Sequence, residues 1–226
     1  MAKWYYSPSS QQSNTSHGYN EEVWNNELTD IIMVIMQRHG EECKRNNPKN
    51  TYAMHVIEAN AWKADFIVPE HSNAIVSDAN TWQTTRSGPT VGCSNPEMAV
   101  AKGTILANMV NDRLFALWQL ATKRKVVKYT FTEVTKSNMP CIYIENFYHD
   151  NESNQKFAIA YREQIAIEQC KAFLEMVGKV YDGLEEIAPM YRVQVGAFRN
   201  KAYADDFVNK LALAGFTGGR IKVTME

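Results

Sequence analysis

The first forty residues show a short aromatic strand, a polar loop and an amphipathic helix. Residues 3–7 are rich in aromatic side chains and end in turn-forming Ser and Pro residues, which is typical of a strand. Asn20 is a suitable N-cap and Gly40 a suitable stop, so we predict a helix between them that packs on a sheet. Its apolar stripe, at i, i+4, i+7, i+8 and i+11, is Trp24, Leu28, Ile31, Ile32 and Ile35.

Strand and helix patterns continue to alternate up to residue 180. The predicted segments are a strand at 64–68 that Pro69 breaks, a polar loop at 76–96, a helix at 96–120, strands at 126–131 and 141–144, and a helix at 151–180. Alternation on this scale is typical of βαβ folds. It predicts an α/β domain whose mainly parallel twisted sheet is flanked by helices.

A separate pattern begins after this domain. Its elements are a strand at 191–195, a helix at 201–213 and a strand at 221–223, which together make one small βαβ unit. The predicted division is a main domain at 1–180, a linker at 181–189 and the small unit at 190–226. So small a unit buries too little surface to be stable alone, so it must dock on the main domain or pair with a second copy.

Composition excludes several classes of protein. Lys and Arg number 24 against 25 Asp and Glu, so no overall positive field favours nucleic acid. No stretch reaches the roughly 18 apolar residues of a membrane span, and the start lacks a secretory h-region, so we expect synthesis in a cytoplasm without a signal peptide. The four cysteines are widely spaced, and we expect them to be reduced and mostly buried.

Three side chains fall where an α/β sheet binds ligands, beyond the carboxyl ends of its strands. Glu21 begins the first helix, His71 follows the second strand, and Glu145 follows the buried strand at 141–144. A histidine and two carboxylates at one sheet edge are the parts of a hydrolytic zinc site. Each also has an ordinary alternative: Glu21 complementing the helix dipole, His71 hydrogen-bonded in a loop, Glu145 paired with a surface cation.

Two segments resemble a known enzyme family. Residues 70–74 read E-H-S-N-A and are similar to the I-H-x-N-A element of zinc-dependent N-acetylmuramoyl-L-alanine amidases; residues 139–151 are similar to their P-A-V-L-x-E-x-G-F-x-x-N element. The resemblance covers residues 1–178. It implies that Glu21 and His71 bind zinc, that Glu145 is the catalytic carboxylate, and that the substrate is the amide bond between N-acetylmuramic acid and L-alanine in bacterial peptidoglycan.

The first loop departs from that family. Where it has D-P-G-H-G-G, with a third zinc-binding histidine, residues 7–12 read S-P-S-S-Q-Q, an opening that resembles a variant branch among clostridial and phage amidases. Ser10 aligns with the histidine, Gln11 could supply a carbonyl oxygen, and His17 lies in the same loop. We take Gln11 as the third metal ligand, with Ser10 and His17 as open alternatives.

Four further titratable residues have possible roles in or near the predicted site. His149 follows Glu145 by four residues, so it either joins the site or packs at the start of the next helix. Glu133 either lines the cleft or braces it. His39 and His55 are interpreted as ordinary helix-end and surface residues.

The C-terminal unit resembles the first half of a SPOR repeat, a peptidoglycan-binding module. Residues 191–198 read Y-R-V-Q-V-G-A-F, the element that carries the likeness. Alternation along the strand leaves Arg192 and Gln194 on the face away from the helix, where they would bind glycan, unless that face is simply solvated. Because the second half repeat is missing, pairing of two chains would complete the sheet, which predicts a homodimer.

These observations predict a zinc amidase that lyses bacterial cell walls. A phage endolysin released by a holin is the first interpretation, and a mother-cell lytic enzyme of a spore former is the second. The alternative from another class is a non-catalytic peptidoglycan-binding protein with an amidase fold that has lost its metal. A zinc peptidase that cuts within the stem peptide is a further alternative interpretation.

Overall fold

The computed structural model describes residues 1–98, 100–119 and 125–183, together with residue 207. The chain divides into two compact units, Met1–Gly183 and Leu184–Glu226. Apart from residue 207, the strands and helix expected at 190–226 lie outside the described residues, and so do Arg192 and Gln194. The following paragraphs therefore concern the first unit.

The described residues form strands and helices in the alternating order expected of an α/β domain. The strands are β1 (Lys3–Pro8), β2 (Thr15–Ser16), β3 (Tyr19–Asn20), β4 (Glu42–Arg45), β5 (Phe66–Asn73), β6 (Thr90–Cys93), β7 (Val127–Lys128) and β8 (Tyr143–Tyr148). The helices are α1 (Glu21–Arg38), α2 (Tyr52–Trp62), α3 (Lys102–Trp118), α4 (Thr132–Lys136), α5 (Glu152–Ala160) and α6 (Arg162–Met176).

Six strands make one sheet in the order β4-β1-β5-β8-β6-β7, and β2 and β3 form a separate hairpin. Neighbouring strands of the sheet are parallel except β6 and β8, which are antiparallel. The predicted mainly parallel sheet is therefore confirmed. Among the described residues, no helix is both long and apolar enough to cross a bilayer.

Alternation along β1 divides the core into two layers. Trp4 and Tyr6 face α6, where Phe173 lies 5.1 Å and 6.4 Å from their rings. Tyr5 points the opposite way, towards Trp62 of α2 at 6.5 Å. Helices α1, α3 and α6 thus cover one face of the sheet, and α2 and α4 cover the other.

Helix α1 forms as the sequence predicts. The Asn20 side chain accepts from the Val23 backbone N–H, and Gly40 follows the helix with φ +74°, a conformation that glycine adopts without strain. Of the predicted stripe, Ile31 is only half-buried. The other four members, Trp24, Leu28, Ile32 and Ile35, are buried.

Several predicted boundaries are wrong. Strand β5 does not end at Pro69 but continues to Asn73, because proline removes only one donor and its fixed φ suits an extended chain, while the Glu70 carbonyl still accepts from Ser9 N at 2.9 Å. Strand β6 lies inside the expected loop at 76–96, and the expected strand at 126–131 shortens to β7. Short strands such as the internal β6 and the edge strand β7 depend on their neighbours in the sheet more than on their own pattern.

The cysteines match expectation. None forms a disulfide; Cys93, Cys141 and Cys170 are buried, and Cys43 is half-buried. Three buried thiols in an apolar setting behave as small hydrophobic side chains.

Strand β5 carries one carboxyl group into the core. Glu70 is fully buried, and its Oε2 accepts from Asn146 Nδ2 at 2.8 Å. Burial raises the pKa of Glu70 to about 8 from an ordinary value of 4.5. The folded state therefore keeps this proton in a pH window where the unfolded state has lost it.

Glu70 is expected to make the metal-free protein less stable as the pH rises. Its contribution is fully present below about pH 4.5 and is lost as the pH rises through about 8. Glu70→Gln is isosteric and does not ionise, so the stability of the wild type should fall relative to the variant by up to about 1.4 kcal/mol per pH unit in that window. Urea unfolding of both proteins at several pH values measures this difference.

A matched control is Glu152→Gln, which removes an exposed carboxylate paired with Lys156. Its stability difference from the wild type should barely change over the same pH range, since exposed ion pairs contribute little. A difference between wild type and Glu70→Gln that stays constant with pH would contradict the assignment.

Candidate active site

The three predicted site residues meet at the carboxyl edge of the sheet. His71 of β5 lies directly opposite Glu145 of β8 in the register of these parallel strands. Glu21 is the first residue of α1, which begins at the same edge. The exposed fractions are 1% for Glu21, 2% for His71 and 9% for Glu145, so Glu145 is not a surface residue. His71 lies on a strand and not in a loop. The alternative for Glu21 stays open, because its place in the first turn of α1 also complements the helix dipole.

Glu21 and His71 are bonded to each other. Glu21 Oε1 lies 2.8 Å from His71 Nδ1, and Asn14 Nδ2 donates to the other carboxylate oxygen. The imidazole stacks on the ring of Tyr143 at 4.8 Å. Burial opposes a charged imidazole, but the hydrogen bond to Glu21 and the charge of Glu145 together raise the pKa of His71.

Glu145 is a buried carboxyl group with a free oxygen. Its Oε2 has no hydrogen-bond partner among the described residues, nor has Nε2 of His71. Burial raises the pKa of Glu145 to about 7; His71 opposes this shift and the charge of Glu21 adds to it. Buried polar atoms without partners are rare, and at a site they indicate a ligand or a reaction.

These groups line one cavity of about 520 Å³. Its wall is formed by Gln11, Asn14, Glu21, Tyr52, His71, Ser72, Asn73, Ala74, Thr130, Phe131, Thr132, Glu133, Tyr143 and Glu145. The volume is typical of a small-molecule site.

The three candidates for the third metal ligand differ in their position relative to the cavity. Gln11 lines the cavity, whereas Ser10 and His17 do not. The His17 ring instead stacks on Trp82 with centroids 3.5 Å apart, and its Nδ1 contacts Ser16 Oγ at 3.0 Å. Of the three residues in this loop, the geometry favours Gln11.

Glu133 both lines the cavity and braces it. Its Oε1 is hydrogen-bonded to Ser7 Oγ, which also contacts His55 Nδ1 at 3.0 Å. Burial raises the pKa of Glu133 to about 7 and lowers that of His55. The surface interpretation of His55 is wrong, since this residue is fully buried and links α2 to β1. Ser7 is fully buried as well, so this cluster has no exposed nucleophile.

His149 and His39 contribute to packing and helix capping, and neither lines the cavity. His149 does not line the cavity; it is buried, its Nδ1 lies 3.0 Å from Ser72 Oγ, and its ring stacks on Tyr19. The packing interpretation of His149 is the correct one. His39 caps the C-terminus of α1, as expected for a helix-end residue, and its Nε2 contacts Asp182 at 2.7 Å.

Sequence reasoning missed Asn14, Tyr52 and Tyr143 as parts of the site. Tyr143 precedes Glu145 by two residues on a strand, so alternation places both on one face, and this signal was present in the sequence. Asn14 and Tyr52 come from a loop and from α2, which reach the cavity only through the tertiary fold.

Residues 9–174 match the model of the N-acetylmuramoyl-L-alanine amidase family (Amidase_3), and residues 189–224 match the SPOR domain. No curated protein sequence matches the chain significantly. The resemblance drawn from the two motifs is therefore confirmed at the level of the family.

Solved amidases share the fold. An N-acetylmuramoyl-L-alanine amidase from Clostridium difficile 630 has 19% identity and a TM-score of 0.68, covering 78% of this chain and 97% of that one. AmiC2 of Nostoc punctiforme has 19% identity and a TM-score of 0.67, covering 79% and 98%. The catalytic domain of the CD27L endolysin targeting Clostridia difficile has 17% identity and a TM-score of 0.62, covering 80% and 99%.

Likeness at these identities shows a common fold, and the family model supplies the assignment. It spans 9–174 of the 226 residues, and the SPOR match follows it along the chain. The chain belongs to the family of N-acetylmuramoyl-L-alanine amidases and has a C-terminal SPOR domain.

Proposed function

We propose that this chain is a zinc-dependent amidase that hydrolyses the bond between N-acetylmuramic acid and L-alanine and so lyses bacterial cell walls. One observation supports the proposal above all. The hydrogen-bonded pair Glu21–His71 lines the same cavity as Glu145, whose Oε2 has no hydrogen-bond partner among the described residues. Zinc would be held by Glu21, His71 and Gln11, and Glu145 would be the catalytic carboxylate.

The donor set fits zinc. The family is generally zinc-dependent, and carboxylate and imidazole are among the ligands that zinc prefers. The 2.8 Å contact between Glu21 Oε1 and His71 Nδ1 sets a carboxylate beside an imidazole, and the ring keeps a second nitrogen, Nε2, without a partner among the described residues. These two side chains would hold the ion.

The remaining protein ligand would not be an acid or a histidine. Among the described residues, no group of three or more His, Cys, Asp or Glu side chains is arranged to hold a metal ion. Gln11 lines the same cavity and has a carbonyl oxygen. A neutral amide oxygen is a weaker zinc ligand than imidazole, so we expect lower affinity than a site with two histidines would have.

Glu145 would carry out the proton transfers. Zinc, when bound, lowers the pKa of a water ligand towards about 7 and polarises the scissile carbonyl. Glu145 accepts the proton that the attacking water loses, and then donates it to the departing L-alanine nitrogen as the C–N bond breaks. In the metal-free protein, burial raises the pKa of Glu145 to about 7, so this carboxyl group is poised near neutral pH, as a group that both accepts and donates a proton requires.

Substitution of Glu145 tests the chemistry. Glu145→Gln keeps the shape of the side chain but cannot carry the proton, so release of soluble fragments from purified peptidoglycan should fall by about 10²–10⁴-fold. The variant should also fail to clear suspended bacteria. Glu152→Gln, an exposed position outside the cavity, is the matched control and should retain activity.

Equal release of peptidoglycan fragments by wild type and Glu145→Gln would contradict the proposed mechanism. Mass spectrometry of the fragments separates the amidase from a zinc peptidase, because only the amidase releases stem peptides that begin with a free L-alanine amine. A wild type that releases nothing would leave the non-catalytic wall-binding interpretation.

Metal binding tests the ligand set. His71→Ala removes an imidazole ligand and should abolish stoichiometric zinc binding, measured by competition with a chromophoric chelator. Gln11→Ala should weaken zinc affinity by roughly 10–100-fold. His17→Ala is the control, because this ring lies against Trp82. Loss of zinc in His17→Ala but not in Gln11→Ala would reverse the choice of third ligand.

The C-terminal SPOR domain would hold the enzyme on the wall. Residues 189–224 match this domain, and we propose that Arg192 and Gln194 bind glycan strands there. The unit resembles one half repeat, so two chains would pair to complete a sheet. The enzyme would reach the wall after release by a holin or by cell lysis, as expected for an endolysin or a mother-cell enzyme.

Pairing of the half repeats predicts a concentration-dependent homodimer. Sedimentation equilibrium of the full chain should give about twice the 25.8 kDa monomer mass at micromolar concentration. A chain truncated after Gly183, at the boundary between the two compact units, should remain a monomer and is the control. A monomeric full chain would exclude pairing and leave docking on the amidase unit.

A further inference from the structure

A second polar cluster lies on the opposite face of the sheet from the cavity. Each segment that carries a site residue contributes one member: Asn25 follows Glu21 by four residues, Glu70 precedes His71, and Asn146 follows Glu145. A fourth member, Gln169, comes from α6. All four members, which we call the rear cluster, are fully buried.

Strand alternation explains this arrangement. Neighbouring residues on a strand point to opposite faces, so when His71 and Glu145 face the cavity, Glu70 and Asn146 face α1 and α6. The register of the two strands sets His71 opposite Glu145 and Glu70 opposite Ile144. Asn146, two residues beyond Ile144, lies on the same far face as Glu70, and the two side chains meet diagonally across the strands.

Asn146 is the centre of the rear cluster. Its Nδ2 lies 2.8 Å from Glu70 Oε2, 3.3 Å from the backbone oxygen of His71 and 3.4 Å from Asn25 Oδ1. Gln169 Nε2 donates to Asn146 Oδ1 at 2.7 Å and approaches Glu70 Oε2 at 3.4 Å. One amide thus joins β8 to β5, α1 and α6.

The rear cluster forms hydrogen bonds with the backbone of two of the three proposed zinc ligands, His71 and Glu21. Asn146 contacts the carbonyl of His71, and Asn25 Nδ2 donates to the carbonyl of Glu21 at 3.0 Å. Asn146 itself is adjacent to Glu145 in the chain. Any shift of this amide therefore moves the backbone from which one or more of the three site residues project.

Stability alone does not account for such a cluster. Four polar side chains are removed from water, and Glu70 Oε1 and Gln169 Oε1 still have no partner. Replacing buried polar groups with apolar side chains of similar volume is often neutral or stabilising. Hydrogen bonds differ from apolar contacts in fixing direction and distance, which a site requires.

We propose that the rear cluster positions the active site: Asn146, held by Glu70 and Gln169, fixes β5, β8 and the start of α1 so that Glu21, His71 and Glu145 meet. This inference rests on the proposed function, since the quantity it controls is zinc binding by Glu21 and His71. The four residues touch neither substrate nor metal and are positioning residues.

Two substitutions of one residue separate hydrogen bonding from ionisation. Glu70→Gln and Glu70→Met both remove the ionisable carboxyl group, but only glutamine retains an oxygen that can accept from Asn146. We expect zinc affinity within about 3-fold of wild type for Glu70→Gln, and a loss of roughly 10–100-fold for Glu70→Met. In Glu70→Met, kcat on a muramoyl-L-alanine substrate should fall while KM changes little, and the metal-free melting temperature should stay the same or rise.

Gln169→Met is the second arm, in case Glu70→Met does not fold. It removes the donor on α6 that holds Asn146 without changing β5, β8 or α1. The same expectation applies: weaker zinc binding at unchanged metal-free stability. Wild-type zinc affinity in the folded methionine variants would overturn the proposal. Equal losses in Glu70→Gln and Glu70→Met would also overturn it, because loss of the ionisable group, and not of the hydrogen bond, would then be the cause.

A measurement on the metal-free protein tests this inference independently of the proposed function. The NMR signals of the His71 ring in the metal-free protein should move in Glu70→Met and stay near wild-type positions in Glu70→Gln. If wild type binds no zinc, the proposed function fails, while these signals still decide whether the rear cluster positions His71. Unmoved signals in both methionine variants would overturn the inference.

Discussion

The buried contact between Glu21 and His71 is the constraint on which the rest of the site depends. A carboxylate at the start of α1 and an imidazole on β5 lie 2.8 Å apart with at most 2% of either residue exposed. Removing such groups from water costs several kcal/mol unless each has partners in good geometry. Asn14 and Tyr143 complete their surroundings, so the loop before α1 and strand β8 must both be in place.

The sheet serves two polar clusters at once. On one face His71 and Glu145 open into a cavity, and on the other Glu70 and Asn146 bond to each other beneath α1 and α6. Alternation along β5 and β8 makes this possible, because the residues on either side of His71 and Glu145 point to the opposite face, where Glu70 and Asn146 meet diagonally across the two strands. A shift of one residue in that register would exchange the two sets and destroy both.

Raised pKa values mark both clusters for the same physical reason. Glu133 and Glu145 on the cavity side and Glu70 on the rear side all lose water, and burial is the first cause of each shift. Their surroundings differ, however. Glu70 and Glu145 each keep one oxygen without a hydrogen-bond partner among the described residues, but Glu70 lies near amide donors of Asn146 and Gln169, whereas Glu145 lies at the cavity wall. A buried carboxyl group thus belongs to a hydrogen-bonded cluster on one face of the sheet and to the cavity on the other.

The α/β class, the helix from Glu21 and the convergence of Glu21, His71 and Glu145 were predictable from the sequence, because strand ends and helix starts are local features that topology brings to one edge. The passage of β5 through Pro69, the presence of β6 and the burial of His55 emerged only from the folded chain. Those features depend on neighbours distant in the chain. The choice among Ser10, Gln11 and His17 as cavity residues has the same origin, since a polar loop carries no periodicity from which side-chain direction could be read.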